Sequence, residues 1–262
     1  MIVGILGYGT LGRAIAAGLH DHERVRGVVA TTRRGLGALE DVRVEAAAEN
    51  AALAERADVI LVCVKPFQVE GVLTPIAHLL RPEQLLVSCA ASVSTEQVRY
   101  WTGERLPVIR AMPNMPCRIR EGMTVLAAGA GASAEHVALA ESLFATLGLT
   151  ATIDERLMDA ATGISGCGPA YAYVIIEALS DAGVKLGLPR GIARTLVAQT
   201  MLGSAKMVLQ SDVHPAALKD EVTTPAGCTT DALMELEDGK LRHTLLRAAV
   251  AAAERSAKLA TG

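Results

Sequence analysis

The chain has 262 residues, 51% of them hydrophobic and only 3% aromatic, with 24 glycines and a net charge of −3. That length holds one large domain or two, each with a substantial core. A balanced charge without a basic stripe argues against nucleic acid as a partner, and no apolar run approaches the ~18 residues of a membrane-spanning helix. The opening MIVGILGYGT carries no basic leader, so no signal peptide is expected and the chain reads as cytoplasmic, with no membrane partner.

The N-terminal half alternates strand and helix. An apolar run, Ile2 to Leu6, meets Gly7-Tyr8-Gly9-Thr10-Leu11-Gly12, and an Ala-rich helical pattern follows to Leu19. Strand, GxGxxG and helix in that order form the dinucleotide-binding fingerprint. Its glycines permit a tight turn, the approach of a pyrophosphate and close helix–sheet packing. The next strand is expected at Val25 to Ala30. Where NAD-dependent enzymes place a carboxylate for the ribose 2′-hydroxyl, this chain has Thr31-Thr32-Arg33-Arg34. Hydroxyls and two cations suit a 2′-phosphate, so NADPH is favoured over NADH; the plainer reading is a solvated arginine turn.

A helix is expected over Glu45 to Ala57, then a buried parallel strand over Asp58 to Val64. Val64-Lys65-Pro66 ends that strand at the carboxyl edge of the sheet, where ligands collect in such folds. Further strands are predicted at Leu85 to Ser88, Pro107 to Ala111, Thr124 to Ala127 and Thr150 to Ile153. Ser94 with Gln97 forms a capping box. The loop Met112-Pro113-Asn114-Met115-Pro116 has two prolines that fix the backbone and aim Asn114 at a ligand.

Near Asp154 the chain turns helical. Gly166-Cys167-Gly168-Pro169 precedes a long helix to about Leu186, with Pro169 at its first position. Further helices run from Arg190 to Leu209, from His214-Pro215, and from Leu241 to Leu259. Tyr171 to Leu179 is apolar nearly all round, so this helix needs partners on several sides and homodimerisation is the natural inference. Between these helices Val222 to Thr230 holds four threonines, a proline and a glycine. A helical pattern from Thr229 makes this a helix N-terminus offering free N–H groups to a small anionic ligand. A solvated turn is the bland alternative. Five cysteines without a CxxC pair read as free thiols, and no structural metal is expected.

Taken together, the segments GILGYGTLG, VCVKPFQV, VIRAMPNMP, GISGCGPAYAYVIIEALSDAGVKLGLPR and HPAALKDEVTTPAGCTTDALMELE resemble the pyrroline-5-carboxylate reductase family over essentially the whole chain. The resemblance implies an α/β fold, an N-terminal Rossmann domain (residues 1–154) followed by an all-α dimerisation and substrate-binding domain (residues 155–262). It implies interlocked homodimers, in many members assembled as a decamer of five dimers. The implied reaction is NAD(P)H-dependent reduction of Δ1-pyrroline-5-carboxylate to L-proline, the last step of proline biosynthesis. By similarity Thr229 hydrogen-bonds the imine nitrogen, Thr224 with the N–H groups of Gly227 and Cys228 holds the carboxylate, and Lys65, Pro66 and Asn114 border the nicotinamide ribose and the substrate cleft.

The chain departs from the family pattern at Tyr8, Cys167, Ala226 and Cys228. A related cyclic imine such as piperideine-2-carboxylate is therefore an alternative substrate. A non-catalytic NADPH-binding regulator would have no need of Thr224 and Thr229. A β-hydroxyacid dehydrogenase would require a lysine on the first long helix of the second domain, and Gly168 to Asp181 has none.

Overall fold

The computed structural model describes residues 1–32 and 43–260. By compactness they divide into two units, Met1–Cys167 together with the chain from Val250 onward, and Gly168–Ala249.

The first unit is built on β1 (Ile2–Leu6), β2 (Gly27–Thr31), β3 (Val44–Ala46), β4 (Val59–Val62), β5 (Leu85–Ser88), β6 (Val108–Pro113), β7 (Gly122–Ala128) and β8 (Gly148–Thr152). They form one sheet in the order β3-β2-β1-β4-β5-β6-β7-β8. Every neighbouring pair is parallel except β6 with β7. The chain reverses direction across the sheet at β1, and the carboxyl ends of β1, β2 and β4 open a crevice there.

Strand periodicity sorts the side chains. Val3, Ile5 and Leu61 face one way, into a core with α1 (Thr10–Leu19) and α5 (Ala134–Ala145) through Ile15, Leu19 and Phe144. Leu6, Ile60 and Val62 face the other, packing on α2 (Asn50–Arg56), α3 (Val69–Leu73) and α4 (Thr95–Trp101) through Leu53, Leu73 and Val98. Two-sided burial explains why these strands read as continuous apolar runs.

Most expected elements are present with shifted ends. The second strand starts at Gly27 because Val25 is still in a turn, its N–H donating to His22 O. The helix expected from Glu45 is a correction: Val44-Glu45-Ala46 pairs in register with Val28, Val29 and Ala30, and the helix begins only at Asn50. Pairing with an existing sheet edge outweighs the helical propensity of Glu and Ala. The Ser94–Gln97 capping box forms as expected. Among the described residues no strand follows β8.

A polar cluster ties this unit together. Arg110 on β6 is buried and lies 3.8 Å from both Glu155 and Asp159. The Glu155 carboxylate accepts from Thr95 N–H (2.8 Å) and Thr95 Oγ1 (2.5 Å) at the start of α4. Asp159, on α6 (Met158–Ala161), accepts from Ser256 Oγ at 2.7 Å, and Ser92 Oγ donates to Ser256 O at 3.0 Å. These bonds anchor Ser256, near the end of α11 (Leu241–Ala260), against the sheet.

The second unit holds α7 (Gly168–Lys185), α8 (Arg190–Gln210), α9 (Pro215–Glu221), α10 (Cys228–Asp238) and the start of α11. The long helix starts one residue before Pro169, and His214 caps α9 through its own ring, Nδ1 accepting from Ala216 N–H at 3.2 Å. Gly183 lets α7 and α8 approach: a Cβ there would lie 2.8 Å from that of Ala193. Tyr171 is half-buried, whereas Tyr173, Val174 and Leu179 of α7 and Ile192 and Leu196 of α8 are exposed in the single chain.

Glu155→Ala leaves the buried Arg110 with one carboxylate fewer and the N–H and hydroxyl of Thr95 at the start of α4 without their acceptor. The expected loss is about 2–3 kcal/mol of unfolding free energy, read from the urea midpoint at unchanged slope.

Candidate active site

The crevice at the carboxyl ends of β1, β2 and β4 is a cleft of about 1080 Å³. Gly7, Gly9, Thr10, Leu11, Thr32, Val64, Lys65 and Pro66 all line it, so separate parts of the sequence converge as expected. Arg33 and Arg34 lie outside the described residues. Gly12 and Asn114 are not in the lining.

The three glycines do three different things. Gly7 has φ +100°, and a Cβ on it would lie 2.7 Å from Val64 Cγ1 and 3.0 Å from the Cys63 carbonyl carbon. It makes the turn and touches the next strand. A Cβ on Gly9 would meet nothing within 4 Å of protein; the space there is left open. A Cβ on Gly12 would lie 2.5 Å from Gly7 O, so Gly12 allows α1 to sit against the turn. Gly9 is the N-cap of α1, with no side-chain cap and no acidic residue in the first turn. The first-turn N–H groups and the positive end of the helix dipole therefore face the cleft, which suits a pyrophosphate.

Tyr8, bulky for this loop, turns its ring into the core of the sheet and is only 5% exposed. Its N–H and that of Gly7 donate to Thr31 O at 3.0 and 3.2 Å, joining the glycine turn to the end of β2. The Arg13 guanidinium lies 5.7 Å from the centre of the Tyr8 ring. Lys65 is exposed, and its N–H donates to Gln68 Oε1 at 3.2 Å in a short turn, Pro66–Gln68, opened by Pro66. Asn114 holds the fold together: Oδ1 accepts from Met123 N–H at 2.9 Å, and Nδ2 donates to Ser165 O at 3.2 Å. Its rigid loop instead presents the next residue, Met115, to the cleft.

Sequence reasoning passed over several lining residues, among them Arg13, Asn50, Cys63, Cys89 and Arg118. Cys63 and Cys89 each follow an apolar strand run, which placed them at the cleft edge in principle. Arg118 sits on the turn Met115–Ile119, which reaches the cleft by packing alongside α1. Nothing in its local sequence signals that.

In the second unit Thr224, Gly227, Cys228 and Thr229 come together at the start of α10. Gly227 is the N-cap and supplies no side-chain cap, and its N–H donates to Thr224 O at 3.0 Å. A Cβ on Gly227 would lie 2.4 Å from Thr224 Oγ1, so glycine here lets that hydroxyl lie over the helix end. Ala226 adopts φ +57°, the left-handed conformation that favours glycine. Thr224 and Cys228 are exposed and Thr229 is half-buried.

Residues 155–259 match the family model described as pyrroline-5-carboxylate reductase dimerisation. Residues 2–92 match that described as NADP oxidoreductase, coenzyme F420-dependent. The pyrroline-5-carboxylate reductase of Glycine max is 38% identical over 262 residues, covering 98% of this chain and 95% of that protein. This chain belongs to the pyrroline-5-carboxylate reductase family. Two solved members of the family superpose closely. The Plasmodium falciparum pyrroline carboxylate reductase, crystallised with NADP bound, has a TM-score of 0.90 and 32% identity, covering 99% of this chain and 98% of that one. The Coxiella burnetii pyrroline-5-carboxylate reductase has a TM-score of 0.90 and 34% identity, covering 98% and 97%. A dinucleotide fits the residues present, since the open space over Gly9 and the uncapped N-terminus of α1 are what a pyrophosphate requires.

Two glycine variants separate binding from folding. Gly9→Ala is expected to keep the melting temperature while weakening NADPH binding at least about tenfold, seen by nucleotide fluorescence. Gly12→Ala is expected to lose about 1–3 kcal/mol of stability, because its Cβ meets backbone rather than a movable side chain. In the α10 loop, Ala226→Gly removes a left-handed alanine. It should gain about 0.5–1 kcal/mol, read by denaturant unfolding.

Proposed function

We propose that the protein is a pyrroline-5-carboxylate reductase that uses NADPH to reduce Δ1-pyrroline-5-carboxylate to L-proline, the last step of proline biosynthesis. The observation that carries this reading is the glycine-capped start of α10, where Thr224, Gly227, Cys228 and Thr229 gather hydroxyl and N–H donors in a chain whose other unit carries a dinucleotide cleft.

A cyclic imine is reduced by adding a hydride to the C=N carbon and a proton to the nitrogen. NADPH supplies the hydride. The protein's work is to position and polarise. On our reading Thr224 Oγ1 and the N–H of Cys228 hold the substrate carboxylate, helped by the dipole of α10, while the Gly227 N–H, bonded to Thr224 O, closes the turn that brings them together. The Thr229 hydroxyl donates a hydrogen bond to the ring nitrogen, stabilising the charge that develops there. Gly7, Gly9, Thr10, Leu11 and Gly12 form the pyrophosphate turn, Val64, Lys65 and Pro66 border the nicotinamide ribose, with Asn114 bracing the loop behind them, and Thr32, Arg33 and Arg34 hold the 2′-phosphate. The functional division is residues 1–154 for the dinucleotide and 155–262 for the substrate and dimerisation.

The apolar residues that α7 and α8 leave exposed support a homodimer, and a decamer of five dimers is the larger assembly we infer. No helix of the described residues is long and apolar enough to cross a membrane, and we place the protein in the cytoplasm.

The test follows NADPH absorbance with pyrroline-5-carboxylate and, in parallel, piperideine-2-carboxylate. The expected result is turnover of the first, with kcat/KM falling about 100-fold in Thr229→Ala while NADPH affinity is unchanged. Turnover of the six-membered imine alone would reassign the substrate. NADPH binding without turnover of either would point to a regulator.

A further inference from the structure

The cleft contains a pair of thiols for which hydride transfer has no use. Cys63 immediately follows β4 and Cys89 immediately follows β5, and both line the cleft. The parallel register pairs Val62 with Ser88, so these two cysteines are the next pair in line. The ladder continues past that pair, with Cys89 N–H donating to Val62 O at 2.9 Å and Cys63 N–H to Leu6 O at 2.8 Å. Registered neighbours carry their side chains to the same face of a sheet, and both cysteines pack into the α1/α5 core. Adjacent strands are about 4.8 Å apart, within the ~4.4–6.8 Å Cα separation a disulfide needs.

Their environments differ. Cys63 is partly exposed to the cleft, whereas Cys89 is buried, and its thiol is held protonated by the adjacent Cys63 and by burial. A small oxidant entering the cleft therefore meets Cys63 first, with Cys89 poised behind it.

We propose that Cys63 and Cys89 form a peroxide-oxidisable dithiol in the floor of the dinucleotide cleft, and that the disulfide form excludes the nucleotide. The inference rests on the reading of that cleft as the NADPH site. In the first step a peroxide oxidises the Cys63 thiol to a sulfenic acid and releases one water. In the second the Cys89 sulfur attacks the Cys63 sulfur, and the second water leaves. The pair gives up two electrons and two protons, and the peroxide is reduced. Closing an S–S bond of about 2.05 Å turns both side chains into one fixed geometry and shifts Cys63 at the end of β4. Cys63 and Val64 are the residues against which Gly7 packs without room for a Cβ, so the shift is passed to the turn over which the pyrophosphate would sit. By linkage, bound nucleotide should protect the dithiol.

The full-length protein is treated with hydrogen peroxide, with and without saturating NADP⁺, then alkylated and mapped by mass spectrometry, and NADPH binding is followed by fluorescence. Expected are a peptide pair joined through Cys63 and Cys89, lighter by two hydrogens, a fall in NADPH affinity of at least about tenfold, recovery with dithiothreitol, and protection by NADP⁺. Cys63→Ala and Cys89→Ala, each compared with its own untreated form, should show no dithiothreitol-reversible loss of binding. A bridge from Cys63 to the neighbouring Cys117, two thiols that stay unlinked, or a linked protein that binds NADPH as before would overturn the proposal. If the reduced protein binds no NADPH, the cleft assignment itself fails, and exclusion of the nucleotide fails with it. If it binds NADPH but reduces neither imine, only the substrate assignment fails, and the thiol mapping still decides this inference.

Discussion

The first unit is organised by the lack of room behind Gly7. The turn after β1 presses so closely against the next strand end that a Cβ on Gly7 would lie 2.7 Å from Val64 Cγ1 and 3.0 Å from the Cys63–Val64 backbone, and its positive φ is a conformation in which side chains are strained. Because the turn is that tight, Gly7 and Tyr8 can both reach Thr31 O at the end of β2. Because Gly12 is also bare, α1 rises directly from the turn, with its N-terminus over the strand ends. A parallel sheet whose order reverses at β1 then has a crevice at that position, and the polar end of a helix faces into it. The chemistry of the cleft follows from backbone packing before any functional side chain is considered.

The second unit reaches a similar electrostatic solution by other means. There α10 begins at Gly227, which like Gly9 supplies no side chain to cap its own helix. A serine or aspartate at either position would satisfy the first-turn N–H groups internally. Glycine leaves them to a ligand. The left-handed Ala226 and the Thr224 hydroxyl beside Gly227 show what shaping this loop demands, a strained backbone and a hydroxyl held over the helix end. Two helix N-termini, each opened by glycine, suit a reaction whose cofactor and substrate are both anions.

Much of this was legible in the sequence because it is local. The GxGxxG turn, the apolar strand runs, the Ser94–Gln97 cap, the Lys65-Pro66 strand end and the glycine and threonines before α10 are each set by residues within one turn or one strand of one another. Strand β3 was misread as helix because Val44-Glu45-Ala46 has no strong strand preference of its own; it is a strand because β2 offers an unpaired edge. Asn114 shows the same limit from the other side. Its sequence context suggested a ligand-facing amide, yet the amide bonds Met123 and Ser165, nine and fifty-one residues away.

By itself the sequence determined the fold class, the place of the dinucleotide turn and the set of hydroxyl and N–H donors at α10, since periodicity, glycine placement and capping act over a few residues. Only the tertiary structure decided that Arg110 is buried between Glu155 and Asp159, that Arg13 and Arg118 reach one cleft, and that Cys63 and Cys89 stand side by side. Those facts depend on strand register and on which helix covers which face, and both are settled by the burial of side chains far apart along the chain.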